Sequence, residues 1–333
     1  MAHGFFAVAR TARRGLLALP AALLLGLAPT GQAQAKWPDK PVKIVVPFGA
    51  GGVADFISRT LADKLSSKFG QRVLVINKPG PGGIDAALTV LNAPADGYTM
   101  GLAAIITAIS VATFQKLPYD PVTQFEMVST IGLFDMDFAV KADSPYQTLG
   151  DFINAAKVQP GKLNIGTIAT GSSQNFGTEL FKSMAKIDVV IVPFQRSPDV
   201  VVALLRNDVQ MLVEFPPAIQ GQIASKELRV LATSGAQRSA LAPNVPTVAE
   251  AGLSGYAVTS WDGVFAPKGT PKEIIDTMNE AMHEVLAMPD LRAQFENVGV
   301  EPHAGTPGEL MDLLKSDIKK WEGVMIEAGI PKK

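Results

Sequence analysis

Val42-Lys43-Ile44-Val45-Val46-Pro47-Phe48-Gly49-Ala50-Gly51-Gly52-Val53-Ala54-Asp55 is the stretch that decides the fold class. Val42–Pro47 is a short β-branched run. Glycines follow at once, and Ala54, Ile57, Leu61 and Leu65 then recur at helical spacing. A buried strand therefore feeds a helix through a loop whose glycines let the backbone turn tightly and let a ligand approach the amides. Unpaired N–H groups and the helix dipole favour an anion there, with no charged side chain required. A merely structural tight turn is the alternative.

The loop also matches a relaxed dinucleotide fingerprint, Gly49-x-Gly51-x-x-Ala54. That motif needs an acidic residue about 20 positions on, to hold a ribose. The place falls near Asn77, and no acid lies between Gly70 and Gly83. No Gly-Lys-Ser/Thr ends the loop, so it is not a phosphate-binding P-loop either. No cofactor is expected.

Working outward, Arg72–Ile76 reads as a second strand, closed by the turn Asn77-Lys78-Pro79-Gly80-Pro81-Gly82-Gly83. A helix near Ile84–Asn92 and a strand near Thr99–Ala103 follow. The same grammar restarts with a helix at Leu149–Lys157 and a strand at Leu163–Thr167. A strand at Val189–Val192, a helix at Pro198–Arg206 and strands at Val209–Val213 and Arg229–Thr233 continue it. The pattern predicts an α/β protein with a mostly parallel, doubly covered sheet and two lobes. Between strand and helix, the second unit carries Gly166-Thr167-Ile168-Ala169-Thr170-Gly171-Ser172-Ser173-Gln174-Asn175. This loop is rich in hydroxyls and amides, and could close with the first on one small anion. Read alone, it is equally an ordinary N-cap serine. Two later helices open with Thr270-Pro271-Lys272-Glu273 and Thr306-Pro307-Gly308-Glu309, each the pattern of a capping box.

Composition narrows the class. The chain's 333 residues suffice for two domains at roughly 150 residues each. A 47% hydrophobic, 18% charged composition is globular, and a net charge of −1 offers no surface for nucleic acid. There is no cysteine, which excludes disulfides, thiolate metal sites and cysteine nucleophiles, and three histidines leave little for a metal cage. Residues 1–35 read as an export signal. Arg10, Arg13 and Arg14 precede the apolar run Gly15–Leu27, and Ala33-Gln34-Ala35 is a small-x-small cleavage site. Arg13-Arg14 leaves the twin-arginine route open. The search for catalysis is negative. There is no Gly-x-Ser-x-Gly or His-Glu-x-x-His, and His283 and His303 have no evident partner. Ser316-x-x-Lys319 lies within a helix. Asp135 and Asp137 alternate with Phe134, Met136 and Phe138, as on one exposed strand face.

Several segments, in order, resemble those of the extracytoplasmic solute receptors of the tripartite tricarboxylate transporter, or Bug, family. The first are Trp37-Pro38-Asp39-Lys40-Pro41, Gly51-Gly52-x-x-Asp55 and the Asn77–Gly83 turn. Ala95-Asp96-Gly97-Tyr98-Thr99, Leu117-Pro118-Tyr119-Asp120-Pro121 and Pro160-Gly161-Lys162-Leu163-Asn164 follow. Val245-Pro246-Thr247-Val248-Ala249-Glu250-Ala251-Gly252 and Ala266-Pro267-x-Gly269-Thr270-Pro271 complete the set. The resemblance implies a two-lobed periplasmic binding protein of type II architecture, with a ligand cleft between the lobes. It puts lobe 1 at 36–137 plus 257–333 and lobe 2 at 138–256. It implies a small carboxylated ligand, a two-subunit membrane permease as partner (a sensor kinase being the alternative), a monomer, and no catalysis.

As ligand-binding residues the resemblance points to Phe48, Gly49, Ala50, Gly51, Gly52 and Asp55 of the first loop. From the second it takes Thr167, Thr170, Gly171, Ser172, Ser173 and Asn175. Ile106, Thr107, Phe194, Arg196, Ser197, Glu214 and Trp261 complete the set. Departures from the family pattern bear on the ligand. Pro193-Phe194-Gln195-Arg196-Ser197 replaces Pro-Tyr-Lys-Gly, Asn175 replaces a histidine, Ile76 an acid, and Glu214 an aspartate. Arg196 reads either as the partner of a second ligand carboxylate or as a solvated rim residue. Asp55 either meets the helix dipole or binds a ligand ammonium.

Overall fold

β1 (Val42–Val46) buries every residue but Lys43, as a strand covered on both faces must. α1 (Val53–Phe69) packs Ile57, Leu61 and Leu65 inward and stops at Gly70, which takes the left-handed backbone at φ 66°. This computed structural model describes residues 37–168, 172–327, 329, 331 and 332. The expected leader, and Thr170 and Gly171 of the second loop, lie outside those residues.

β2 (Val73–Asn77), α2 (Ile84–Leu91), β3 (Thr99–Ala104), α3 (Ile105–Thr113) and the short α4 (Pro121–Gln124) lead to the long β4 (Phe125–Asp135). One residue later, β5 (Asp137–Lys141) opens the second unit. It continues with α5 (Leu149–Val158), β6 (Asn164–Ile168), α6 (Ser173–Ala185), β7 (Val190–Phe194), α7 (Ser197–Leu205), β8 (Met211–Glu214), α8 (Pro216–Ala224) and β9 (Leu228–Thr233). The chain then returns through β10 (Thr259–Pro267), α9 (Lys272–Leu286), α10 (Pro289–Glu296), β11 (Glu301–Pro302) and α11 (Pro307–Glu327).

Two sheets result, ordered β11-β4-β10-β3-β1-β2 and β7-β6-β8-β5-β9. The expectation of a mostly parallel sheet needs correction, because both are mixed. β1 runs parallel to β2 and β3, and β6 to β7 and β8. β10 is antiparallel to both β3 and β4, and β5 to both β8 and β9. The cause is the double crossing. β4 carries the chain out of the first sheet and β10 brings it back, so the two run in opposite directions side by side.

Asp135 and Asp137 are likewise corrected. They do not sit on an exposed strand face. Asp137 is buried and pairs with Glu214 and Thr233 in the second sheet. Asp135 accepts a 2.8 Å hydrogen bond from the Thr259 hydroxyl. The strands flanking both crossings cover that face.

Ser234 stitches the crossings together. Its N–H donates to the Met136 carbonyl at 2.8 Å, and its carbonyl accepts from Val258 N–H at 2.7 Å. Its hydroxyl accepts from Met136 N–H at 2.8 Å and donates to the Val258 carbonyl. One apolar core fills the α1 and α9 side of the first sheet. Another runs from its α3 and α11 side through Met136 and Trp261 into the second unit at Phe138, Phe181 and Tyr256. There α11 sets the buried Trp321 edge-on against Phe176 of α6, at 5.8 Å between ring centres.

Of the two expected capping boxes, one forms. Thr306 accepts from Glu309 N–H while Glu309 accepts from Thr306 N–H. Thr270 instead donates to the Pro267 carbonyl, and α9 starts without a side-chain cap. Its hydroxyl is drawn into the turn that ends β10.

Candidate functional site

A cleft of about 1330 Å³ opens where loops of both sheets meet. Its walls include the starts of five helices: Val53 and Ala54 of α1, Ile105 and Ile106 of α3, Ser173 to Asn175 of α6, Ser197 and Pro198 of α7, and Pro217 and Ala218 of α8. Each follows the carboxyl end of a strand, β1 and β3 running parallel in one sheet and β6, β7 and β8 in the other, the place where α/β sheets present amides to ligands. The first-turn N–H groups of a helix have no partner within it. α1, α7 and α8 lack any side-chain cap as well. Charged side chains on the walls are few among the described residues: Glu179, Arg196, Glu214 and Asp262.

The first loop is built for close approach. Gly49, Gly51 and Gly52 are exposed, and an added Cβ at any of them would meet nothing within 4 Å. Gly51 also takes φ +88°, which an L side chain rarely adopts. The loop is fixed from behind by Asp55. Its carboxylate accepts from Gly51 N–H at 2.9 Å and from Asn77 Nδ2 at 2.8 Å, and pairs with Arg59 at 2.9 Å. Asn77 also donates to the Phe48 carbonyl at 3.1 Å. Burial alone would raise the Asp55 pKa. The Arg59, Gly51 and Asn77 hydrogen bonds outweigh it and hold the group below the usual carboxylate value.

Asp55 is therefore absent from the cleft walls, and Gly51 has its amide engaged. Phe48, Gly49, Ala50, Gly51 and Gly52 all line the cleft. Of the second loop, Ser172, Ser173 and Asn175 line it. Ser172 caps α6, accepting from Asn175 N–H at 3.1 Å. Thr167 is fully buried and does not line the cleft, and neither does Phe194, which packs against the α7 core. Thr107 is buried behind Ile106 and accepts the Ala104 N–H at 3.2 Å. Trp261 lines the cleft, with its indole N–H donated to Asp317 at 2.7 Å. His283 faces the Gly305 carbonyl at 3.3 Å and is not a cleft residue.

Arg196 and Ser197 stand on the wall. The Arg196 guanidinium makes a two-pronged pair with Asp199, at 3.0 and 2.9 Å, and its side chain is 74% exposed. Glu214 is buried. Its Oε1 accepts from Gln174 Nε2 at 2.7 Å and Phe215 N–H at 2.8 Å. Burial raises its pKa against the lowering effect of the Ser197 hydroxyl, the Phe215 N–H and the Gln174 amide.

Sequence reasoning missed Ser260, Asp262, Gln174 and Phe134 as wall residues. Asp262 carried a signal. It is an acid within Ser260-Trp261-Asp262-Gly263-Val264-Phe265, a run otherwise suited to a buried strand. It is 1% exposed, its Oδ2 has no partner, and burial pushes its pKa up to about 7.

A family model described as the tripartite tricarboxylate transporter family receptor matches residues 57–330. The chain belongs to this family. The receptor is 31% identical to BugT of Bordetella pertussis over 295 residues, covering 88% of this chain and 90% of BugT. R. palustris Rpa4515, solved with adipate, matches it at TM-score 0.80 and 32% identity, over 89% of this chain and 100% of the other. MatC of Rhodopseudomonas palustris, solved with malate, matches at TM-score 0.75 and 28% identity, over 86% and 99%. The receptor thus has the two-lobed fold of these binding proteins.

Proposed function

We propose that the receptor is exported, holds a small organic carboxylate in this cleft, and delivers it to a membrane permease of two subunits. One observation carries the reading: five helix starts converge on one cleft that presents few charged side chains. Such an arrangement stabilises an anion by partial charges and amide donors. Adipate and malate in the relatives Rpa4515 and MatC support a carboxylate as the bound species. Phe48, Gly49, Ala50, Gly52, Ile106, Ser172, Ser173, Asn175, Ser197 and Trp261 are our candidates for the ligand's surroundings, with Thr170 and Gly171 completing the second loop. Asp55 acts from behind, as the brace of the first loop.

In this reading the lobes are 36–137 with 257–333, and 138–256. Residues 1–35 are the export signal, cleaved near Ala35. The captured molecule leaves chemically unchanged in this reading, which the lack of a nucleophile–base pair among the described wall residues supports. The test is native mass spectrometry of the purified protein, followed by calorimetry with the molecule found and with adipate and malate. A carboxylate that binds and raises the melting temperature is the expected result. Protein that retains no carboxylate and binds none from a broad panel would sink the reading.

A further inference from the structure

We propose that the cleft takes a ligand bearing an ammonium group besides its carboxylate, and that Asp262 with Ser260 receives that ammonium. The inference rests on the receptor reading above and narrows its ligand class to amino acids and related zwitterions.

Two buried polar atoms of β10 on the cleft wall lack a hydrogen-bond partner: Asp262 Oδ2 and Ser260 Oγ. Ser260 and Asp262 are two positions apart on β10, with no bulge between them, so both side chains leave the same face of the strand. Asp262 is only 1% exposed. Buried polar groups are ordinarily satisfied, and an unpaired one calls for an explanation. The buried Asp317 shows the ordinary case. It accepts from the Trp261 indole and pairs with Lys320, both at 2.7 Å. Asp262 has no such employment, although its strand lies between two others.

Charge decides which chemistry fits. The described walls carry Glu179, Glu214 and Asp262 against Arg196 alone, and Arg196 is engaged by Asp199. A second ligand carboxylate would be buried among carboxyl groups with no free cation to meet it. A primary ammonium reverses the situation. It brings a positive charge and three N–H donors to a buried carboxyl and a hydroxyl that both hold unmatched acceptor atoms. A metal ion is not favoured, because the described residues nowhere gather three acidic or histidine side chains that could hold one. The uncapped starts of α1, α7 and α8 remain for the carboxylate end.

The test is calorimetry on the full receptor, stripped of any co-purified molecule, with matched probes: L-glutamate against glutarate, L-aspartate against succinate, and 6-aminohexanoate against hexanoate. Adipate and malate are added as carboxylates without nitrogen. The ammonium-bearing member of at least one pair should bind about 10-fold tighter or more. Asp262→Asn places an amide donor against the ammonium. It should erase that preference while leaving the nitrogen-free partner within about 2-fold. If thermal melting shows that Asp262→Asn does not fold, Ser260→Ala makes the same comparison. Nitrogen-free acids binding as tightly as their amino partners in every pair would overturn the inference and leave the receptor reading standing. So would a variant that weakens both members equally. Failure of every probe, adipate and malate included, would overturn both.

Discussion

Replacing Asp137 by asparagine should make the protein more stable at pH 8 and leave it nearly unchanged near pH 4.5. Asp137 opens β5 between β8 and β9, with 6% of its surface exposed. Burial, then the charge of Asp135 two residues back, push its pKa up to about 7. Burial and the more distant Glu301 carry Asp135 to about 6, against the lowering hydrogen bond from Thr259. Glu214, the strand partner of Asp137 on β8, is also raised. An unfolded aspartate titrates near ~3.9. Below that value both states are protonated, and the fold keeps its full stability. As pH rises from about 4 to about 7 the unfolded chain loses the proton while the folded chain retains it, so stability falls. The loss is complete above the folded value. Each tenfold displacement of a protonation equilibrium is worth about 1.4 kcal/mol, so the ceiling is roughly 4 kcal/mol. Relaxation around the charge reduces the expected gain in the variant to about 2 kcal/mol at pH 8. Guanidinium melts of both proteins at the two pH values measure it. A difference between variant and wild type that is equal at both pH values, or larger at pH 4.5, would refute the reasoning.

Asp55→Ala should cost about 2 kcal/mol through the lost Gly51 and Asn77 hydrogen bonds and the Arg59 pair, and weaken carboxylate binding by loosening the first loop. A variant with unchanged melting temperature and affinity would contradict the bracing role. Ser234→Ala should cost about 3 kcal/mol, because the buried Met136 N–H and Val258 carbonyl each lose a partner; equilibrium unfolding checks this. Arg196→Ala should leave the affinity for any bound carboxylate within about 2-fold, since Asp199 already holds the guanidinium. A tenfold loss by calorimetry would place the guanidinium on the ligand.

The first loop was legible because its signals are local. A β-branched run, glycines and a helical period within Val42–Leu65 specify strand, turn and helix without help from elsewhere. Strand direction was not legible. Whether β10 runs with or against β3 depends on a crossing more than a hundred residues distant, and residue period is the same either way. Side-chain direction was hidden for a related reason. Asp55 turns from the cleft because Asn77 and Arg59 wait behind it, and Arg196, on the wall, is held because Asp199 lies one helical turn on. The buried acids at 214 and 262 show the reverse. Their residue types break the apolar pattern of their strands, and that break marks the cleft rather than the core.

The edge-on pair of Trp321 and Phe176 has a practical use. One ring belongs to the C-terminal helix and the other to α6, so any swing of one lobe against the other alters the indole's surroundings. Indole emission responds to such changes in local polarity and quenching. The chain holds three tryptophans, and Trp261 sits on the wall of the cleft itself. Titrating candidate molecules while watching intrinsic fluorescence would therefore follow closure with no dye, label or insertion.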